Sequence, residues 1–325
     1  MKQPTISVIT PTLNNERDIE GFIQSIKKQT YPAGKVEIIL ADGGSKDETL
    51  TIAKKYNVKT FNNVKVFADI GVNEGIKLAK GDLIMILASD NIFKSEKAFA
   101  MIAKVFEDAN IFAAFPKHAT SSKDSLFSNY INTFTDPVNH FVYGYASNPR
   151  TFNKVYKIIK KNNDYCIYDY KSNPTIPMIA FAQGFTFRAG FTRSSQNAFD
   201  DTTPVMELVN NNKKIAFLNS VDLYHHTIHG LRHFIDKQAW KTRNYLDNRN
   251  FGIAHRKELL SAQQLLRLKI WPLYSLSIVP PFLYAFYHLA KDREKMWIFH
   301  PFLCIISGYT SFFTYLKVSF NKILK

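Results

Sequence analysis

Ile19, Phe22, Ile23 and Ile26 recur at i, i+3, i+4 and i+7, the stripe by which a helix faces a core. Apolar runs of strand length flank it: Thr5-Ile6-Ser7-Val8-Ile9-Thr10, closed by Pro11, and Val36-Glu37-Ile38-Ile39-Leu40-Ala41. Asp42-Gly43-Gly44 then makes a tight turn, Ser45 and Glu48 read as a capping box, and the helix they start ends near Tyr56-Asn57. Val64-Lys65-Val66-Phe67 reads as a third strand, and residues 71–80 as a helix stopped by Gly81. In Leu83-Ile84-Met85-Ile86-Leu87 five large apolar residues follow one another, the mark of a strand buried on both faces. Strands spaced by helices of this length imply right-handed crossovers and a mainly parallel sheet.

Polar residues gather where these strands end. Asp90 follows the buried strand, at the sheet edge where open α/β folds bind ligands. A hard oxygen there suits Mg²⁺ or Mn²⁺ on a diphosphate; the plain alternative is a cap, with Asn91 or Ser95 starting the helix at Glu96-Lys97-Ala98-Phe99. Two further strand-to-helix loops, Pro11-Thr12-Leu13-Asn14-Asn15-Glu16 and Asp42-Gly43-Gly44-Ser45-Lys46-Asp47, point into the same crevice. Asp42 can accept from a ribose hydroxyl or a base N–H, and the glycines admit a nucleotide close to the backbone; a simple turn and a simple cap explain the same residues. Neither GxGxxG nor GxxxxGK[ST] occurs, which removes the main support for dinucleotide and P-loop readings.

Composition narrows the picture. The 325 residues, 46% hydrophobic and 21% charged, describe a globular chain with room for one large or two ordinary domains. Cys166 and Cys304 lie far apart, which fits a reducing compartment and offers no disulfide framework. Met1-Lys2-Gln3-Pro4 runs straight into a strand, so no signal peptide is expected and the site of action is expected in the cytoplasm. The net charge of +15 calls for an anionic partner: nucleic acid, an anionic membrane or a phosphorylated substrate. Between residues 230 and 270 nine basic residues face three acidic ones, just before the most apolar part of the chain, as in proteins held at a cytoplasmic leaflet. No nucleic-acid reading motif accompanies the charge, so nucleic acid is set aside.

Four segments carry a family resemblance. Residues 7–16, Ala41-Asp42-Gly43-Gly44-Ser45-Lys46-Asp47-Glu48-Thr49, residues 73–82 (from Asn73-Glu74-Gly75 to Gly81-Asp82) and Leu87-Ala88-Ser89-Asp90-Asn91 resemble, in order and spacing, the family 2 nucleotide-sugar glycosyltransferases of GT-A fold. The likeness is close over residues 4–110 and looser through Gly184-Phe185-Thr186-Phe187-Arg188, Phe199-Asp200-Asp201-Thr202 and Tyr224-His225-His226. It implies an α/β fold, a GT-A-type Rossmann-like mixed sheet flanked by helices. It also implies that Pro11, Thr12, Asn14, Glu16, Asp42, Gly43, Asn73 and Ser89 line the nucleotide pocket. The family's Asp-x-Asp metal motif falls on Ala88-Ser89-Asp90, so the first carboxylate is missing and Asp90 stands as the direct ligand of Mn²⁺ or Mg²⁺. His225 or His226 matches a histidine that completes the metal site in many relatives. Asp200 and Asp201 match the acidic pair whose second member is the general base of inverting members.

The chemistry fits those residue types. Inverting transfer needs a carboxylate to take the acceptor's proton, and a cation to stabilise charge on the departing diphosphate. A second carboxylate acting as acid is unnecessary because the donor carries its own leaving group. The residues alone also allow Asp200-Asp201 to be a helix N-terminus before Pro204, and a histidine ending an apolar strand to be structural. Strand neighbours face opposite ways, so one of His225 and His226 is expected to serve.

The remainder divides into an aromatic middle and an apolar tail. Tyr130, Phe134, Phe141, Tyr143 and Tyr145 are among many aromatics in residues 120–180, either an acceptor platform or an ordinary core. Residues 270–290 and 296–316 contain no Asp, Glu, Lys or Arg, approach the ~20 residues that span a bilayer and carry aromatics at their ends. Pro280-Pro281 would break a spanning helix, so a hairpin lying in the interface, true spanning and a soluble helical domain all stay open. The expected layout is a catalytic domain at 1–230, with a nucleotide-binding half (1–110) and an acceptor-binding half (111–230). A basic, hydrophobic, helical, membrane-associating region (231–325) follows. The expected function is inverting, metal-dependent transfer from a nucleoside-diphosphate sugar, UDP-sugar favoured, to a hydroxyl of a membrane-linked glycan or lipid at the cytoplasmic side of the membrane. The alternatives are a polyprenyl-phosphate glycosyl transferase and a non-catalytic nucleotide-sugar-binding protein.

Overall fold

The apolar periodicities become a layered α/β body in a computed structural model that describes residues 3–193, 200–247 and 252–323. Among the described residues ten strands form one mixed sheet: β1 (Ile6–Thr12), β2 (Val36–Asp42), β3 (Lys59–Asn62), β4 (Leu83–Leu87), β5 (Asn91–Phe93), β6 (Ile111–Ala119), β7 (Lys157–Lys161), β8 (Tyr165–Asp169), β9 (Gln183–Arg188) and β10 (Lys214–His225). The order is β3-β2-β1-β4-β9-β6-β10-β8-β7, with β5 also paired to β10. β3, β2, β1 and β4 run parallel, as the alternation of strand and helix requires. β9 enters antiparallel between β4 and β6, which makes the sheet mixed.

Helices α1 (Glu16–Lys27), α2 (Thr49–Lys55), α3 (Ala68–Leu78) and α4 (Ala98–Val105) cover the parallel half. Ile19, Phe22 and Ile23 of α1 and Phe99 and Ile102 of α4 bury themselves on Val8, Leu40 and Met85. Ile9, its side chain opposite to that of Val8, meets α3 instead, and a Cβ on Gly75 would come within 2.5 Å of Ile9 Cγ2. That close approach is what a glycine permits. It sets the height of α3, and so of Asn73, above the sheet.

Two local expectations fail for physical reasons. Residues 64–67 form no strand: Asn63 donates through Nδ2 to the Phe67 carbonyl, Val66 takes a positive φ of 66°, and the edge strand lies earlier, at β3. The Ser45–Glu48 capping box does not form either. Ser45 gives its hydroxyl to Asp42, and Asp47 accepts the Thr49 N–H at the start of α2.

The chain divides into two compact units. Unit one holds the sheet and α7 (Thr203–Asn210), and comprises residues 1–119, 156–172 and 179–225. Unit two comprises residues 120–155, 173–178 and 226–325. It is built from α5 (Leu126–Phe134), α6 (Pro137–Tyr143), α8 (Leu231–Asp247), α9 (Ala262–Leu276), α10 (Val279–Asp292) and α11 (His300–Ile323). The apolar stretch at 270–290 is interrupted between α9 and α10, with Pro280-Pro281 in the first turn of α10. The core of unit two is aromatic, around Tyr130, Phe134, Phe234 and Trp297. Buried among these, His140 bonds Ser147 Oγ at 2.9 Å, and burial pushes its pKa down to about 3, so the ring is neutral at pH 7.

Gly75→Ala is expected to lower the stability of unit one by about 1–3 kcal/mol, the usual cost of overpacking, although alanine in an exposed helix gains about 1 kcal/mol over glycine. An unchanged or raised urea midpoint would show that α3 is not pressed onto Ile9.

Candidate active site

Hydrogen bonds across the carboxyl edge of the parallel strands lace two loops into one platform. Asn14, in the left-handed region with φ 49°, donates its N–H to Ser45 Oγ at 2.9 Å, and its Oδ1 accepts the Lys46 N–H at 2.9 Å. Glu16 donates its N–H to Asp47 Oδ2 at 3.0 Å and accepts the Glu48 N–H at 3.1 Å. Asn15 reaches the third loop by donating Nδ2 to Ser89 Oγ. Asn14, Glu16 and Ser89 therefore hold the platform together.

Asp42 is buried inside this lacework. Its carboxylate accepts the Gly44 and Ser45 N–H groups, each at 2.9 Å, and the Ser45 hydroxyl at 2.5 Å. A carboxylate offers about four acceptor positions, so the turn uses three and leaves about one on Oδ1. Gly44 has φ 93°, a conformation that favours glycine, whereas Gly43 keeps an ordinary φ and donates to the Thr12 carbonyl at 2.8 Å. The Thr10 and Thr12 hydroxyls and both side-chain polar atoms of Asn73 are buried with no hydrogen-bond partner among the described residues. Buried polar groups left in that state at a sheet edge call for a polar ligand. Pro11 lies between the two threonines, half-buried and in register with Ala41.

The candidate metal ligands meet on the next strands. Antiparallel pairing of β5 with β10 sets His225 opposite Asn91, and His225 Nε2 lies 3.3 Å from Asp90 Oδ2. Asn91 donates Nδ2 to Asp90 Oδ1 at 3.0 Å, and Gln183 Nε2 lies 3.1 Å from His225 Nδ1, so both candidate ligands are oriented from behind. Neighbouring ligands on an octahedral Mg²⁺ or Mn²⁺ sit about 3 Å apart, and the Asp90–His225 pair matches that spacing. No group of three His, Cys, Asp or Glu able to hold an ion is found among the described residues. An ion here would therefore draw its other ligands from phosphate and water, the usual habit of Mg²⁺. His226 belongs to unit two, where its Nδ1 bonds Asp124 Oδ1 at 2.5 Å.

Asp200 and Asp201 have different surroundings. Asp200 Oδ2 accepts the Thr203 N–H at 2.7 Å, the Thr203 hydroxyl at 2.5 Å and the Thr202 N–H at 3.2 Å, so the helix-start role falls on Asp200. The half-buried Asp201 is next to it, and its carbonyl accepts the Phe181 N–H at 3.1 Å. Ala182 in turn accepts the Ala88 N–H at 2.8 Å. Two backbone bonds at the start of β9 thus bring Asp201 to the strand end that carries Asp90, and Asp42 lies on the same edge about two strand spacings, roughly 10 Å, away. Phe199 lies outside the described residues.

Sequence reasoning missed three supports. Gln183 orients His225, and Asn15 ties the loops to Ser89. The third is Arg193, buried over the Phe181 ring, which donates to Asp69 Oδ1 at 2.9 Å and to the Asp200 carbonyl at 3.0 Å. Burial pushes the Asp69 carboxyl up and the Arg193 guanidinium opposes it. A polar residue heading a buried strand was the one available signal, and it marked Gln183 alone.

Comparison with known proteins adds a family. The description "Glycosyl transferase family 2" matches residues 7–170. A dolichyl N-acetyl-alpha-D-glucosaminyl phosphate 3-beta-D-2,3-diacetamido-2,3-dideoxy-beta-D-glucuronosyltransferase of Methanococcus voltae is 36% identical over 91 residues, 26% of this chain and 28% of that protein. The poly(ribitol-phosphate) beta-N-acetylglucosaminyltransferase TarS of Staphylococcus aureus is 33% identical over 99 residues, 28% of this chain and 17% of its own length. The matched stretch is therefore a minor part of each curated relative. Among solved structures, the mannosyltransferase PcManGT from Pyrobaculum calidifontis, in complex with GDP-Man and Mn²⁺, aligns with TM-score 0.54 at 14% identity, over 97% of this chain and 88% of its own, and shows the fold.

Arg193→Met is expected to cost about 1–3 kcal/mol, because it removes the partner of the largely shielded Asp69 carboxylate, and adding Asp69→Asn should recover much of it. A urea double-mutant cycle with no coupling between the two positions would remove this clamp.

Proposed function

Since the chain belongs to glycosyl transferase family 2 and is a glycosyltransferase of GT-A fold, we propose that it transfers a sugar with inversion from a nucleoside diphosphate to a hydroxyl of a membrane-linked glycan or lipid. The observation that carries this reading is the Asp90–His225 contact of 3.3 Å, two backbone hydrogen bonds away from Asp201. In it the donor's nucleoside lies over the laced loops, with Asp42 Oδ1 and the orphaned Thr12 and Asn73 groups as its polar partners. UDP is the favoured nucleotide. A divalent cation, Mn²⁺ or Mg²⁺, held by Asp90 and His225 would stabilise the charge that develops on the departing diphosphate.

The chain's own residues do the rest. Asp201 accepts the proton of the acceptor hydroxyl while that oxygen bonds to the anomeric carbon and the bond to the diphosphate breaks. Asp200, Arg193 and the Phe181 N–H hold the Asp201 backbone still during that step. Gln183 faces His225 Nδ1 through its amide nitrogen at 3.1 Å; turning that amide over would set its oxygen on Nδ1–H, the tautomer that leaves Nε2 available as a ligand. The names of the relatives, one acting on a dolichyl-linked sugar and one on a poly(ribitol-phosphate), support an acceptor carried on a lipid or an anionic polymer. The net charge of +15 supports the same class and a place at the cytoplasmic face of the membrane.

Asp201→Asn is expected to lower transfer by roughly 10²–10⁴-fold, the range of general base catalysis, while donor still raises the melting temperature as in the parent. Undiminished transfer would remove Asp201 as base and favour a polyprenyl phosphate acceptor, whose oxygen needs no deprotonation.

A further inference from the structure

Three helices of unit two carry their apolar residues on the outside. On α10, Val279, Leu283, Phe286 and Tyr287 fall at i, i+4, i+7 and i+8 and are all exposed, Leu283 to 64%. The opposite face, Pro281, Ala285 and His288, is buried. α11 repeats the pattern. Phe302, Tyr309, Phe312, Phe313 and Phe320 are exposed, whereas His300, Leu303, Cys304, Ser307 and Gly308 are buried. On α9, Leu266, Ile270 and Leu273 form a third exposed stripe, Leu273 at 77%, over buried Gln264, Trp271 and Ser275. A water-facing helix has the reverse distribution. Large apolar residues outside, over inner faces that are small or polar apart from Trp271 and Leu303, is how helices pack when their surroundings are hydrocarbon.

The faces are joined. Phe282 of α10 packs edge-on against Phe302 of α11 with ring centroids 5.4 Å apart, and Gly308 brings α11 against Ser275 of α9. Exposed Lys269, Lys291, Arg293, Lys295 and Lys317 border the apolar residues, and Lys291 donates to the Tyr287 hydroxyl at 3.1 Å. Of the acidic groups nearby, Asp292 is taken up by Lys154 and His288, and Glu294 accepts the Met296 N–H. A second copy would bring +15 against +15; anionic headgroups complement that charge.

We propose that the outer face of α9, α10 and α11 docks on the interface of an anionic lipid bilayer, with these helices lying on the membrane rather than crossing it. This deepens, and rests on, the reading of a membrane-linked acceptor. α9 and α10, at 15 and 14 residues, are shorter than the hydrocarbon core. α11 and its approach, Lys295–Asn321, are long and apolar enough to cross. Their partner forbids it: Thr242 of α8 bonds Ser311, at the middle of α11, at 3.0 Å, so Lys241 and Arg243 would be carried to the bilayer centre.

The test is co-sedimentation of the full chain with phosphatidylcholine vesicles, with and without phosphatidylglycerol, across a salt series. The parent should bind the anionic vesicles, less so as salt rises, and the exposed-face variant L283S/F286S/F312S/F313S should lose affinity by about tenfold or more while keeping its melting temperature and its donor-induced shift. K291E/K295E should weaken binding and flatten the salt dependence. A parent that stays in the supernatant with both vesicles, or a variant that sediments like the parent, overturns the proposal. So does a parent dimer that the apolar variant turns into a monomer, which would make this face a contact between copies. Lipid binding without transfer to any lipid-linked acceptor would instead count against the acceptor reading and leave the docking face standing.

Discussion

The hydrogen bond from the Ala88 N–H to the Ala182 carbonyl fixes where two distant stretches of chain meet, and the candidate site depends on that meeting. β4 is satisfied on one side by β1, and its other side needs a partner. β9 supplies it antiparallel, so the start of β9 and the loop that feeds it arrive at the end of β4. The neighbouring Phe181 N–H then takes the Asp201 carbonyl. Main-chain pairing rather than side-chain attraction brings the backbones of Asp90 and Asp201 to one edge.

The same satisfaction rule explains why the loops are so polar. A loop at the end of a buried strand has N–H groups that the sheet no longer uses, and Asn14, Glu16, Asp42 and Asp47 accept them. The platform is then rigid before any ligand arrives, and rigidity lowers the entropy lost on binding. Thr10, Thr12 and Asn73 are the exceptions, with buried side-chain groups that meet no partner among the described residues.

Much of this was readable from periodicity. The parallel half declared itself because its strands are buried on both faces and α1 has a clean apolar stripe, Ile19, Phe22, Ile23 and Ile26. β3 was misplaced because an edge strand of half-exposed and exposed residues carries no such pattern, while the apolar Val64 and Val66 nearby stand in solvent. Gln183, marked only as a polar residue heading a strand, and Arg193 could not be given partners, since His225 and Asp69 lie 42 and 124 residues away and only the placing of β9 and β10 on either side of β6 brings Gln183 and His225 together. The tail shows the opposite limit. Its apolar stretches were plain, but which side of each helix they occupy depends on what α9, α10 and α11 bury, and beside Trp271 and Leu303 they bury mainly small or polar residues such as Ser275, Ala285, His288, His300, Ser307 and Gly308.

The account stands on a cation and a diphosphate meeting at Asp90 and His225. Anomalous diffraction at the manganese edge, from crystals soaked with Mn²⁺ and a nucleoside diphosphate, examines that directly. A peak about 2.0–2.3 Å from Asp90 Oδ2 and His225 Nε2, with the diphosphate oxygens completing the shell, is the predicted result. Diphosphate bound on the loops with manganese elsewhere, or density for the diphosphate away from the β1, β2 and β4 edge, would contradict it.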